Sequence, residues 1–126
     1  MMNKLFLILG LMIFSIFTGC DKKDDGNNLI VVVKYKTLPN KSVDAVTGLK
    51  KLIELVKGED HFVSLKLHID QNDNSNILLI EEWDDALYYQ NQHMKTKHLK
   101  EFIVESQTFL AGPPEISYWK VNAVYK

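Results

Sequence analysis

Hydrophobic residues recur along the chain with two different periods, and these periods predict its secondary structure. Leu29–Lys36 is β-branched and apolar on both faces, which is typical of a central strand. From Val43 to Val56 the apolar residues recur at helical spacing, with Ser42 as the predicted N-cap and Gly58 as the predicted end of the helix. The folded part of the chain therefore starts with a strand and an amphipathic helix.

The pattern that follows predicts a hairpin, two further helical segments and a last strand. Residues 63–69 alternate between apolar and polar, and residues 77–83 are mostly apolar. Only turn-forming residues lie between these two strands, which indicates a hairpin. The elements predicted after it are a short helix capped by Asp84 or Asp85, a helix at about residues 96–110 that ends before Gly112-Pro113-Pro114, and a strand at residues 116–125.

The predicted order is β-α-β-β-α-β, which is the ferredoxin-like α+β arrangement. Four strands would form an antiparallel sheet, with both helical segments on one face. The strand residues of the other face include apolar and aromatic groups, and two helices cannot cover both faces. We therefore expect a homodimer in which two sheets pack face to face.

The N-terminus has the pattern of a targeting segment. Residues 5–17 form an apolar run broken only by Gly10 and Ser15, too short to span a bilayer but suited to a signal peptide. The next residues, Thr18-Gly19-Cys20, resemble the bacterial lipobox, in which small residues precede a lipidated cysteine. We expect residues 1–19 to be a signal peptide, lipid on Cys20, a polar tether at residues 20–28 and one domain at residues 29–126. The alternative is an uncleaved anchor helix.

This segment also predicts the location of the protein. A lipidated Cys20 would place the domain in the cell envelope, on a bacterial membrane. The acidic residues after Cys20 resemble the sorting stretch of some surface-exposed lipoproteins, although linkers are often simply charged.

Composition excludes several classes of function. The formal net charge is −1, which gives no indication of a nucleic-acid partner. Cys20 is the single cysteine, so neither an intrachain disulfide nor a cysteine-based zinc site is possible. The sequence has no Gly-rich phosphate loop, no HExxH helix and no GxSxG elbow.

Residues 29–125, and most specifically residues 80–102, carry a resemblance to a known family. Glu82-Trp83, His93, His98, an apolar helix and the Gly-Pro-Pro stop resemble the antibiotic biosynthesis monooxygenase (ABM) domain. Two departures are an interval from Trp83 to His93 about one residue longer than usual, and Glu59-Asp60-His61 where a glycine turn is often seen. The resemblance implies a dimeric α+β barrel. Family members include cofactor-free oxygenases of phenols, quinols and polyketide aromatics, and a related branch degrades haem.

The resemblance makes His93 the candidate catalytic residue. A cofactor-free oxygenase needs a base, a dry apolar pocket and hydrogen bonds to a developing oxyanion. His93 suits the base or a substrate hydrogen bond, and the alternative is a histidine that caps the junction between two helical segments. On one continuous helix His98 would lie about 140° away from His93, so the two would not share a site or a metal ion. A break near His93 would change this.

Other candidate substrate contacts lie around Trp83, which either lines the pocket or packs in the core. Tyr88 and Tyr89 are on the helix facing the same region, and only one is expected to reach the ligand. Glu81 and Glu82 point to opposite faces of their strand, so one should point inward. The candidate substrate-binding residues are Trp83, Tyr88, His98 and Glu82.

These observations leave three functional hypotheses. The first is a cofactor-independent monooxygenase of a small aromatic or quinol, without a cofactor or a metal ion and anchored to the membrane by lipid. The second is a non-catalytic lipoprotein that dimerises or binds a small hydrophobic ligand. The third is a haem-binding or haem-degrading monooxygenase. An apolar cleft that retains His93 would favour an enzyme, whereas a cleft filled by Trp83 and Tyr88 would favour the second hypothesis.

Overall fold

The computed structural model describes residues 26–126. The predicted signal peptide and Cys20 lie outside these residues. The elements, in chain order, are β1 (Leu29–Lys36), α1 (Ser42–Val56), β2 (Phe62–Ile69), β3 (Asn76–Trp83), α2 (Ala86–Asn91), a 3₁₀ turn (His93–Lys95), α3 (Lys97–Ser106) and β4 (Glu115–Lys120). The predicted ferredoxin-like order is confirmed, with the second helical region divided into three pieces.

The four strands form one antiparallel sheet in the order β2-β3-β1-β4. β1 is central, as its apolar sequence predicts, and pairs with β3 and β4 over its length. β2 and β3 form the predicted hairpin. An irregularity between Phe62 and Ser64 sets Phe62 opposite Trp83, on the inward face of the sheet.

The inward face of the sheet holds the hydrophobic core. Every second residue of β1 and β3 is buried there, because side chains alternate along a strand. Residues of α1 and α3 cover this face. The largest fully buried side chains of the described residues are Trp83, Tyr89, Leu49, Ile77, Val31 and Val56.

Some predicted element ends are wrong. Ser42 is the first residue of α1, and the cap residue is Lys41, whose side chain makes no capping hydrogen bond. β4 ends at Lys120 instead of residue 125, because β1 begins at Leu29, opposite Lys120, and offers no partner beyond it. α3 ends at Ser106 instead of residue 110.

The other face of the sheet carries an apolar centre. Ile30, Val32, Leu78 and Ile80 are half-buried there by their neighbours in the sheet, and Trp119 at its side is 60% exposed. No helix of residues 26–126 contributes to this face. Within the same residues, no helix is both long enough and apolar enough to cross a membrane.

Candidate active site

A cavity of about 590 Å³ lies between the inward face of the sheet and helices α1 and α3. Most of its wall is apolar, from residues such as Leu52, Leu79 and Phe102. Four polar residues reach it from the sheet and from the segment before α3: Tyr35, Glu81, Tyr89 and His93. Pro113 and Pro114 also line it, so the segment that stops the last helical region closes one side.

His93 is held in the wall of this cavity by ring packing and one hydrogen bond. Its ring packs against Trp83, with ring centres 4.6 Å apart, and against Tyr89 at 5.0 Å. Nδ1 lies 2.8 Å from Oε2 of Glu59. An ionised carboxylate only accepts hydrogen bonds, so Nδ1 carries the proton and Nε2 keeps a lone pair. No hydrogen bond among residues 26–126 uses Nε2.

Burial decides the charge of His93. Desolvation lowers the pKa of the imidazole, and the hydrogen bond and negative charge of Glu59 only partly oppose this effect. His93 is therefore neutral near pH 7. A neutral imidazole with a free Nε2 is the form that accepts a proton.

Glu59 connects three side chains, a role that no sequence pattern predicts. It lies in the turn between α1 and β2, and its side chain is only 5% exposed. Oε2 accepts from Nδ1 of His93 and from Nε2 of His98, both at 2.8 Å. The Tyr88 hydroxyl donates to Oε1 at 3.3 Å. The Glu59-Asp60-His61 turn, which departs from the family pattern, thus provides a buried acceptor.

A break in the helical region brings His98 to the same carboxylate. Thr96 has extended backbone angles (φ −64°, ψ 148°), and its side chain accepts from the backbone N–H of Leu99 to cap α3. The 3₁₀ turn with His93 and the first turn of α3 with His98 therefore differ in direction. The separation of about 140° expected for a continuous helix does not apply, and both histidines contact one group.

The carboxylate that reaches the cavity is Glu81. It shares the inward face of β3 with Trp83, is 5% exposed, and makes no side-chain hydrogen bond to the other described residues. Burial, followed by the negative charge of Glu59, raises the pKa of Glu81 to about 7. Burial likewise raises the pKa values of the Tyr35 and Tyr89 hydroxyls, so both stay protonated and can donate.

The predicted substrate contacts lie at different places. Glu82 is on the opposite face of the sheet, where it accepts from Asn28 at 2.9 Å and from Ser64 at 3.4 Å. Trp83 is fully buried and packs against the ring of His93, which agrees with packing in the core rather than lining the pocket. Tyr88 and His98 contact Glu59, and Tyr89 is the tyrosine that lines the cavity. Their roles toward a substrate remain predictions.

Comparison with known proteins defines the family. The model of the Antibiotic biosynthesis monooxygenase family matches residues 28–105, which is more than half of the chain, so the chain belongs to this family. The match includes Glu59, Glu81, His93 and His98.

Solved structures agree in fold. The Pseudomonas aeruginosa protein PA3566 is 21% identical, with a TM-score of 0.70 over 77% of this chain and 96% of its own. A conserved protein from Methanosarcina mazei is 24% identical, with a TM-score of 0.66 over 73% of this chain and 90% of its own. Rv0793 from Mycobacterium tuberculosis is 14% identical, with a TM-score of 0.68 over 79% of this chain and 99% of its own. No curated protein matches the chain significantly.

Proposed function

We propose that this protein is a cofactor-independent monooxygenase that acts on a small aromatic substrate such as a quinol. The observation that carries the proposal is that His93 lines a cavity of about 590 Å³ while its Nε2 makes no hydrogen bond to any of residues 26–126. This volume lies within the range of about 300–1,000 Å³ typical of small-molecule sites. Trp83 and Tyr88 do not fill the cavity, which favours an enzyme over a non-catalytic lipoprotein.

In the proposed oxidation, His93, Tyr35, Tyr89 and Glu59 have distinct roles. Nε2 of His93 takes a proton from a substrate hydroxyl, and the electron-rich anion then transfers electrons to dioxygen. A quinol and one dioxygen give a hydroxyquinone and one water, so the substrate supplies all four electrons that reduce dioxygen. The protonated hydroxyls of Tyr35 and Tyr89 donate hydrogen bonds to the oxygen anion. Glu59 fixes the tautomer of His93.

Oxygen uptake tests this proposal. The full chain in mild detergent, treated with a chelator, is given a panel of hydroquinones and polyphenols without added cofactor. We expect uptake above the spontaneous rate, reduced about 10²-fold or more in His93→Gln, because a positioned base contributes about 10²–10⁴-fold. His68→Gln is the matched control, since His68 is exposed on β2. Uptake that is absent, or unchanged in His93→Gln, would refute the proposal and favour a ligand-binding protein.

The proposal includes a dimer and a lipid anchor. The apolar centre of the uncovered sheet face supports a homodimer in which two sheets pack together. The lipobox-like segment supports a lipid on Cys20, which would anchor the protein to a membrane of the cell envelope. Mass spectrometry of the mature protein tests this anchor, because a diacylated N-terminal cysteine is expected in the wild type and is impossible in Cys20→Ser.

A further inference from the structure

The geometry points to a binding site for a divalent transition-metal ion, such as Zn²⁺, formed by Glu59, His93 and His98. One ligand atom from each residue lies within 4.8 Å of the other two. The residues come from three separate pieces of chain: the turn before β2, the 3₁₀ turn and the first turn of α3. This site shares His93 with the proposed oxygenase site, although the proposed reaction itself needs no metal ion.

The donor atoms match the coordination chemistry of such ions. Two imidazole nitrogens and one carboxylate oxygen are the protein ligands of many catalytic zinc sites and of non-haem iron sites. Donors about 2.1 Å from the ion lie about 3 Å apart at adjacent corners of an octahedron, and about 3.4 Å apart in the tetrahedral geometry usual for Zn²⁺. Oε2 of Glu59 lies 2.8 Å from Nδ1 of His93 and 2.8 Å from Nε2 of His98. The two imidazole nitrogens lie within 4.8 Å of each other, so an ion would replace the two shared protons by drawing these nitrogens together.

Neighbouring residues already hold these ligands in place. Trp83 and Tyr89 pack against the ring of His93, and the Tyr88 hydroxyl holds the other oxygen of Glu59. Such outer contacts orient the ligands of metal sites and contribute to affinity. The side chains of Glu59 and His93 are 5% exposed and that of His98 is 21% exposed, so an ion would enter past His98.

Metal binding would also change the hydrogen-bonding character of His93. An ion on Nδ1 displaces the proton that Glu59 now accepts, and the neutral imidazole then carries its one proton on Nε2. Nε2 would change from an acceptor into a donor. If the proposed function holds, the metal-loaded protein therefore loses its base and oxidises quinols more slowly.

Calorimetric titration with Zn²⁺ and visible spectroscopy with Co²⁺ test the site in the full, chelator-treated chain. We expect one ion per chain and at least tenfold weaker binding in Glu59→Gln and in His98→Gln. His68→Gln, with a histidine lost elsewhere on the surface, should bind as the wild type does. The proposal is overturned if the wild type does not bind the ion, or if the wild type and all three variants bind it equally strongly.

A measurement on the wild type tests the metal site even if the substituted proteins do not fold. Histidine ¹⁵N NMR spectra should show Zn²⁺ shifting the resonances of Nδ1 of His93 and Nε2 of His98, with the remaining proton of His93 on Nε2. Shifts confined to His61 and His68 would overturn the site. Oxygen uptake is measured on the metal-free protein, so the oxygenase and metal proposals can fail separately.

Discussion

Replacing Glu81 by glutamine should change how the free energy of unfolding depends on pH. Glu81 is buried against an apolar cavity, and its pKa in the folded protein rises from 4.5 to about 7. The folded state therefore binds this proton more tightly than the unfolded state does. Stability from this group is greatest below pH 4.5 and falls as the pH rises to about 7, because the unfolded state ionises first.

The size of this effect follows from the shift. One pKa unit corresponds to about 1.4 kcal/mol, so ionisation of Glu81 should cost the wild type about 3 kcal/mol between acidic pH and about pH 8. Glutamine has nearly the same shape and does not ionise. The stability of Glu81→Gln relative to the wild type should therefore rise by about 3 kcal/mol over this range.

Urea denaturation followed by tryptophan fluorescence, at several pH values, measures the difference. Glu82→Gln is the matched control, because it removes a carboxylate from the adjacent position of β3 on the opposite face. A difference between Glu81→Gln and wild type that stays constant with pH, or one that Glu82→Gln reproduces in full, would falsify the assignment of Glu81 as the buried titrating group.

Two further predictions concern packing. A Cβ at Gly48 would lie 2.8 Å from the buried Phe109 ring, so Gly48→Ala should lower the free energy of unfolding by about 1–2 kcal/mol despite the better helix propensity of alanine. Gly58→Ala, whose nearest contact would be an ordinary 3.5 Å, should have a smaller effect in the same denaturation experiment. Ile80→Lys places a charge in the apolar centre of the uncovered sheet face and should convert the proposed dimer to monomers in light scattering. Val104→Lys, on an exposed position of α3, should leave the mass unchanged, and a dimer that survives Ile80→Lys would exclude packing through this face.

Much of the fold could be predicted because local patterns and global topology agree. The apolar sequence of β1 predicts a central strand, and β1 pairs with β3 on one side and β4 on the other. The inward residue of the Glu81–Glu82 pair was harder to identify, because apolar residues occupy both faces of β3. Glu81 and Trp83 are two residues apart and so lie on the same face of β3. Knowing that Trp83 packs in the core would therefore have identified Glu81 as the inward residue. Element ends such as Lys120 depend on where the partner strand stops, which the local sequence does not encode.

The candidate site was harder to predict than the fold. The family resemblance identified His93, and the structure places it in the cavity wall. Glu59 lies in a turn without periodicity, so no pattern connects it with residues more than thirty positions away. His98 reaches Glu59 because the backbone at Thr96 is extended and breaks the helix. Helical periodicity alone does not predict where such a break occurs.

The pairing of β1 also determines the order in which the chain can fold during synthesis. Both partners of β1 come later in the sequence, β3 at residues 76–83 and β4 at residues 115–120. A nascent chain therefore exposes β1 with two unpaired edges until β3 has emerged, and one edge stays open until β4 has emerged. Open apolar edges are prone to pair with other chains. Within the folded domain, holdase chaperones that bind extended apolar segments should therefore engage residues 29–36 first.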